Sequence, residues 1–292
     1  MYWTQFEEIS YPFVIKPLGQ SASRGVSIVH NESQLQPAIE KALAYCEAYV
    51  VQEYCHGAEH SVEMLLDGDT LRWFNIVDRK FRYENGIPME IGHVNPSSLV
   101  PEQWDAIQAM MLRTAAAFGI NWGPFKADVI WTASGPKILE TTCRLSGGYD
   151  SAATSPAIGC DPTRALIQMA CGLPVDPIGA PQGYAACAAA FPEPGAILYA
   201  PDEMGAILYT LVETSLQTEN GTISYREYVQ QMPGVCAVHL HKYAGDTIEE
   251  YQHCAARPAF VIAKGDTYDT AWQRAQAAAD VLAEGYVTEV VA

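Results

Sequence analysis

The chain has 292 residues, 49% of them hydrophobic and 17% charged, an ordinary composition for a folded protein with more than one hydrophobic core. Its 34 acidic residues outnumber its 17 basic ones, and the net charge of −17 opposes binding to nucleic acid or to an anionic membrane surface. No apolar run approaches the roughly 20 residues that span a bilayer, and the eight cysteines lie scattered without a CxxC pair. We therefore expect a cytoplasmic protein with reduced thiols and no nucleic-acid or membrane partner.

Residues 1–55 are predicted to form a small α+β subdomain. Apolar alternation predicts strands at 11–17, 26–29 and 48–54. Apolar residues at helical spacing predict a helix over 34–48. The small residues between the first two strands indicate a hairpin.

Residues 56–175 are predicted to form a second, larger α+β subdomain. A turn at Asp67-Gly68-Asp69 should join two antiparallel strands within the segment 60–81. The later elements follow in order: a loop over 84–100, a helix from Pro101 to Gly119, strands at 123–132 and 136–142, and a helix over 162–172.

Residues 176–292 are predicted to form a carboxy-terminal α+β subdomain. Proline and glycine mark a linker over 174–183. The predicted elements after it are strands at 184–192, 205–214, 237–243 and 258–265 and a helix over 268–284.

Lys16 lies at the end of the first strand, and a loop of small residues, 19–25, follows it. A lysine there can place a positive charge on a phosphate, while backbone N–H groups of the loop approach the phosphate oxygens. A polar hairpin tip with a solvated lysine explains the same pattern. The loop residues that would contribute donors or allow close approach are Ser21, Ser23, Arg24 and Gly25.

The next polar segment ends the strand at 48–54. Its residues Gln52, Glu53, Tyr54 and Cys55 could offer backbone N–H and C=O groups to an adenine edge, and Glu59 could accept hydrogen bonds from ribose hydroxyls. By itself the segment is better explained as an edge strand followed by a turn.

Two acidic residues, Asp128 and Glu140, lie inside the two apolar strands at 123–132 and 136–142. Strands of this length joined by a tight turn bring the two carboxylates opposite one another. Oxygen ligands without nearby His or Cys favour Mg²⁺ or Mn²⁺ over zinc. Arg144, four residues after Glu140, indicates an anion at the same place. The alternative is a salt bridge that joins these three residues and Lys126.

These three motifs, in this order along the chain, resemble the ATP-grasp superfamily. The segments GHVNPSSL (92–99), LETTCRLSGG (139–148) and PAFVIAKGDTYDTA (258–271) are most similar to its carboxylate–amine ligases that join amino acids. The resemblance implies an α+β ATP-grasp fold, in which two α+β subdomains with mainly antiparallel sheets grip ATP, followed by a carboxy-terminal α+β subdomain.

The resemblance also assigns a role to each motif. It implies that Lys16 and the loop 19–25 hold the phosphates of ATP, that Gln52 to Cys55 line the adenine pocket, and that Glu59 contacts the ribose. It also implies that Asp128 and Glu140 coordinate magnesium. Arg144 would stabilise the transferred phosphoryl group and the acyl phosphate. Many members carry Asn where this chain has Thr142, so both one and two cations fit.

The implied reaction begins when ATP phosphorylates a small carboxylate; an amine then attacks the acyl phosphate, and ADP and phosphate leave. An ATP-grasp carboxylase-type enzyme is an alternative within the same fold. A second alternative is an ATP-binding subunit that is catalytically incomplete alone. Lys16 lies close to the start of the chain, whereas the family has an amino-terminal α/β domain before this point. We therefore expect a truncated form, a homodimer, or a partner that carries the missing domain.

Overall fold

The structure is a computed structural model that describes residues 10–84, 87–202, 215–218, 221–251 and 253–289. The contacts divide the chain into two compact units. Unit 1 comprises the described residues of 1–56, 81–90 and 249–256, and unit 2 comprises those of 57–80, 91–248 and 257–292. The division into three subdomains, with a boundary near residue 175, stays a prediction.

The strands, numbered in chain order, are β1 (Phe13–Pro17), β2 (Ser27–Val29), β3 (Tyr49–Glu53), β4 (Ala58–Asp67), β5 (Thr70–Glu84), β6 (Ile87–Asn95), β7 (Trp122–Thr132), β8 (Gly135–Thr142), β9 (Tyr184–Ala190), β10 (Gly195–Tyr199), β11 (Ser215–Thr218), β12 (Gly221–Ser224), β13 (Val235–Leu240), β14 (Thr247–Ile248), β15 (Ala259–Gly265) and β16 (Val287–Glu289). The helices are α1 (Leu35–Leu43), α2 (Pro101–Ala117), α3 (Ser155–Ala157), α4 (Pro162–Ala170), α5 (Tyr225–Gln230) and α6 (Tyr268–Glu284), and a π-helical turn spans Asp150–Thr154. The predicted strand at 205–214 lies outside the described residues.

Unit 1 contains a three-stranded antiparallel sheet in the order β2-β1-β3, with α1 packed on one face. Strand β1 alternates buried and half-buried residues, so Phe13 and Ile15 enter the core with Ala38 and Ala42 of α1. Lys16 falls on the opposite face, as the period of two in the sequence predicts.

Gly25 ends the β1–β2 loop in a conformation that other residues rarely adopt. Its φ is +73°, and a Cβ atom would lie 2.6 Å from Pro17 Cγ and 2.8 Å from Tyr45 Cδ2. Only glycine therefore lets the loop fold this closely onto β1 and the chain after α1.

Unit 2 is built on an eight-stranded sheet in the order β13-β15-β9-β6-β5-β4-β7-β8. One face packs against α2 and, further along the sheet, against α6. The core beneath α2 comprises Val62, Met64, Leu66, Ile76, Ile107, Met111, Ala115, Phe125, Ala127 and Val129. The opposite face carries alternate residues of β4 and β7, including Ser61, Glu63, Lys126 and Asp128, and these are buried as well. We call it the polar face.

The prediction of a loop over 84–100 is wrong, because β6 occupies Ile87–Asn95 and pairs with β9. Its glycine and proline have specific roles in the sheet. Gly92 pairs with Ala188, and a Cβ atom there would lie 2.1 Å from the carbonyl oxygen of Cys187, so glycine permits the close approach. Pro96 follows the last residue of the strand, where it removes no ladder hydrogen bond.

All eight cysteines are free thiols. Within the described part of the chain, no helix combines the length and apolar character needed to cross a membrane.

A buried carboxylate, Asp78 of β5, ties together three elements of unit 2. It accepts hydrogen bonds from His60 Nδ1 at 2.8 Å, from the hydroxyl of Ser97, and from the backbone N–H and hydroxyl of Ser98 at 2.9 and 2.8 Å. Burial by itself raises the pKa of Asp78, but these hydrogen bonds outweigh it and hold the pKa well below its usual range. The ionised form therefore stabilises the fold.

We predict that Asp78→Asn lowers the free energy of unfolding by about 2 kcal/mol or more at pH 7, because an amide cannot accept all of these bonds. A lowered folded-state pKa gives stability that is complete above the unfolded-state pKa, about 3.9, and is lost as the pH falls through the folded-state value. Urea unfolding at pH 7 and pH 3 should therefore show a smaller difference between the two proteins at pH 3. An equal difference at both pH values would contradict the assignment.

Candidate functional site

Asp128 of β7 and Glu140 of β8 lie directly opposite one another in the sheet. A bulge follows, since Val129 pairs with Ile138 and Leu139 is left as the extra residue. Asp128 is 8% exposed, whereas Glu140 is exposed. The predicted juxtaposition of the two carboxylates is confirmed, and their role in binding a cation stays a prediction.

Two cationic side chains compensate the buried charge of Asp128. Lys126 Nζ contacts its Oδ1 atom, and Arg79 Nη1 lies 3.3 Å from its Oδ2 atom. Arg79 also contacts Glu59 Oε1, so one guanidinium joins a residue of β4 to a residue of β7. The result is a buried cluster of opposite charges beside the exposed Glu140.

This donor set fits a hard cation that also binds phosphate. Among the residues that the structure describes, no three His, Cys, Asp or Glu side chains form a ready metal cage. Mg²⁺ is usually held by one or two carboxylates, with substrate phosphates and water completing its octahedron. Asp128 and Glu140 match that pattern in the number and the type of their side chains.

The salt bridge considered as an alternative is present in part. Lys126 pairs with Asp128, but Arg144 is exposed and donates from Nη1 to the carbonyl oxygen of Leu145 at 3.0 Å. The sequence analysis did not single out Arg79. The alternation of side chains along β5 could have identified it. Arg79 lies on the same face of the sheet as Asn75, and Asn75 pairs directly with Glu63 of β4.

The loop after Arg144 is held by a carboxyl group from β4. Glu63 is 1% exposed, and its Oε1 atom accepts a hydrogen bond from the backbone N–H of Ser146 at 2.6 Å. Burial, and next the charge of Asp150, raise the pKa of Glu63 to about 8 despite that hydrogen bond. Glu63 is therefore mainly neutral at pH 7. Sequence reasoning missed this residue, because a glutamate in a strand more often faces solvent.

Asp150 begins the π-helical turn after the loop and is itself buried. Its Oδ1 atom lies 3.3 Å from Nε2 of His93, a β6 residue that is 2% exposed. In the next turn of the chain, Thr154 and Ser155 accept hydrogen bonds from the side chain of Asn95 at 3.1 and 2.9 Å. Two alternate positions of β6, His93 and Asn95, thus contact the segment that follows the loop.

In unit 1, the predicted phosphate and adenine residues lie on one small sheet. Lys16 pairs with Val50 and Val14 pairs with Gln52, so Lys16 and Gln52 share the face opposite α1. Glu53 falls on the other face and is exposed. The remaining predicted residues follow these strands: Ser21 is exposed, Ser23 and Arg24 are half-buried, Tyr54 packs its ring edge on His56 at 4.7 Å, and Cys55 Sγ lies 3.9 Å from the carbonyl oxygen of Glu53.

We predict that Glu63→Gln stabilises unit 2 in a pH-dependent way. The folded protein takes up a proton at Glu63 between the unfolded-state pKa, about 4.3, and the folded-state pKa of about 8, so this group's contribution to stability is lost as the pH rises through that window. The amide mimics the neutral acid. In urea unfolding at pH 5, 6.5 and 8, the free energy of unfolding of the variant should therefore increase relative to that of the unaltered protein as the pH rises. Parallel curves would contradict a neutral Glu63.

Two family models match the sequence. The ATP-grasp domain model matches residues 9–152, and the model named L-amino acid ligase C-terminal domain 2 matches residues 219–283. The two matches lie in the order expected from the sequence resemblance, and the first contains Asp128, Glu140 and Arg144.

Curated relatives agree with these matches. A D-alanine–D-alanine ligase of Aromatoleum aromaticum is 31% identical over 161 residues, which are 53% of this chain and 51% of that protein. Dapdiamide A synthase of Enterobacter agglomerans is 27% identical over 148 residues, 48% of this chain and 34% of that protein. The matched region is thus about half or less of the length of these relatives.

Solved structures share the fold at low sequence identity. The crystal structure of L-amino acid ligase from Bacillus licheniformis has a TM-score of 0.70 at 18% identity, and the comparison covers 97% of this chain and 64% of that one. Phosphoribosylglycinamide synthetase from Anaerococcus prevotii has a TM-score of 0.63 at 12% identity, with coverages of 98% and 66%. The fold, the order of the motifs and the two family matches together identify residues 9–152 as an ATP-grasp domain and residues 219–283 as an L-amino acid ligase C-terminal domain, and the matched relatives fit the carboxylate–amine ligase branch of the ATP-grasp superfamily.

Proposed function

We propose that this chain carries the ATP and Mg²⁺ site of a ligase that activates a small carboxylate as an acyl phosphate and joins it to an amine, with amino acids as substrates. The observation that carries the proposal is the direct pairing of Asp128 with Glu140 in the sheet. Asp128 is also contacted by Lys126 and Arg79, and Glu140 lies four residues before Arg144. Carboxylates with adjacent cations suit a magnesium nucleotide, since the protein must bind the metal and the phosphates together.

Each residue of this cluster has a distinct role in the proposal. Asp128 and Glu140 would hold Mg²⁺, which would supply positive charge to offset the charge of the phosphates during transfer. Lys126 and Arg79 hold Asp128 in place and offset its charge. Arg144 is exposed and can turn toward the transferred phosphoryl group, whose charge it would stabilise on the acyl phosphate.

For the residues of unit 1, we propose the ATP-binding roles that the resemblance to the ATP-grasp superfamily implies. Lys16 and the loop 19–25 would bind phosphates, and Gln52 to Cys55 would line the adenine. Lys16 and Gln52 share one face of their sheet, which supports a common ligand. Glu59, in unit 2, would meet the ribose, with its carboxylate oriented by Arg79.

The nature of the substrates rests on the relatives. A D-alanine–D-alanine ligase, dapdiamide A synthase and an L-amino acid ligase all match this chain, and the first and the last of these names denote ligases of amino acids. We therefore propose amino acids or closely related compounds as the carboxylate and the amine. A cytoplasmic location, and a homodimer or a partner domain, also stay predictions.

We predict Mg²⁺-dependent ADP release when ATP and a pool of amino acids are supplied, and its loss on chelation of the metal. Arg144→Ala should lower the rate at least about 1000-fold, because the transferred phosphoryl group loses its stabilising charge. Glu140→Ala should lower it on the order of 100-fold or more. A coupled assay for ADP measures the rate, and calorimetry measures ATP binding.

Arg113→Ala and Glu284→Ala are matched controls, since both side chains are exposed on helices of unit 2 and should leave the rate within about twofold. If the site variants behave like these controls, the assignment of the site is wrong. ATP binding without turnover under any substrate pool would instead favour an ATP-binding subunit that needs a partner.

A further inference from the structure

The segment between Arg144 and the π-helical turn lacks strand pairing that could fix its shape. Strand β8 ends at Thr142, and the turn begins at Asp150. Gly147 and Gly148 lie between them, and glycine has the largest conformational freedom of any residue. Arg144 can stabilise a transferred phosphoryl group only if this segment, 144–149, is held in one conformation.

One buried side chain holds the middle of the segment. Glu63 Oε1 accepts the N–H of Ser146 at 2.6 Å, across 83 residues of sequence. Strand β4 is an interior strand of the sheet, and Glu63 is paired with Lys126 on one side and with Asn75 on the other. The acceptor is therefore carried by a strand that is hydrogen-bonded to a neighbouring strand on both sides.

The far end of the segment is held by a different contact. Tyr149 has a φ of +73°, which is uncommon for a residue with a side chain, and its ring stacks on His239 with 4.5 Å between centroids. Its hydroxyl lies 2.6 Å from Nε2 of His241. The two anchors, at Ser146 and Tyr149, enclose both glycines.

A buried carboxyl group at position 63 lowers the stability of the folded protein whenever it is ionised. Burial opposes its ionised form, and the nearby charge of Asp150 adds to that cost. A strand position flanked by other side chains would accept a smaller or apolar residue without this penalty. What the carboxyl group supplies is an acceptor long enough to reach the Ser146 N–H.

We propose that Glu63 is a positioning residue for the ligase reaction. By accepting the hydrogen bond from the Ser146 N–H, it fixes the backbone conformation of the segment 144–149. It thereby positions Arg144 and the two glycines. This inference rests on the proposed function for its catalytic consequence, whereas the anchoring itself does not. Glu63 acts through the segment and contacts none of the residues assigned to the metal or to ATP in the contacts described above.

The test compares Glu63→Ala, Glu63→Gln and the control Glu284→Ala in the full chain by hydrogen–deuterium exchange and by kinetics. Glu63→Ala should speed exchange in the segment 144–149 about tenfold or more, because the Ser146 N–H loses its acceptor. The same variant should lower kcat by about 10- to 100-fold and leave the KM for ATP within about threefold. Glu63→Gln keeps an acceptor oxygen of the same reach and should restore both properties.

Circular dichroism and thermal unfolding establish that each variant is folded, and Glu63→Gln keeps the test decisive if the alanine variant is not. Unchanged exchange in Glu63→Ala overturns the anchor. Faster exchange with an unchanged kcat overturns the positioning role, and a Gln variant as impaired as the Ala variant overturns the role of the acceptor oxygen. If the unaltered chain has no turnover, the proposed function fails, while the exchange data still decide the anchor.

Discussion

The buried polar face of the eight-stranded sheet is the constraint on which the rest of unit 2 depends. Strand alternation sends Val62 and Met64 of β4 and Ala127 and Val129 of β7 toward α2. The residues between them, Glu63, Lys126 and Asp128, therefore lie on the other side. Because that side is buried as well, each charge there needs a partner. The ion pairs of Asp128 with Lys126 and Arg79 are that compensation, and they place positive charge beside two carboxylates.

The same constraint shapes the chain that covers the face. The segment after β8 contains two consecutive glycines, and it is held by Glu63 at the Ser146 N–H and by the stacking of the Tyr149 ring. The arrangement in unit 1 is simpler. A single helix, α1, covers one face of its sheet, and Lys16 and Gln52 lie on the other face. Lys16 and Gln52 of unit 1, and Asp128 and Lys126 of unit 2, thus lie on the sheet faces that α1 and α2 do not cover.

Local patterns accounted for much of the fold and part of the candidate site. The turn at Asp67-Gly68-Asp69 and the long helices α2 and α6 were predicted from the residues alone, as was the opposition of Asp128 and Glu140. Strand β6 was not, because Gly92 looks like a loop residue until the backbone of β9 lies against it. Arg79 and Glu63 were not singled out either, since their partners come from other strands or from a distant loop.

The sequence by itself determined the strands that bear the carboxylates, the hairpin that makes Asp128 and Glu140 face one another, and the order of motifs that resembles the ATP-grasp superfamily. These are short-range properties, because alternation and turn type depend on neighbouring residues. The tertiary structure decided which strands became neighbours, and so it decided that Arg79 joins Glu59 to Asp128 and that Glu63 meets Ser146. Strand order reflects the packing of the whole sheet, which no local pattern encodes.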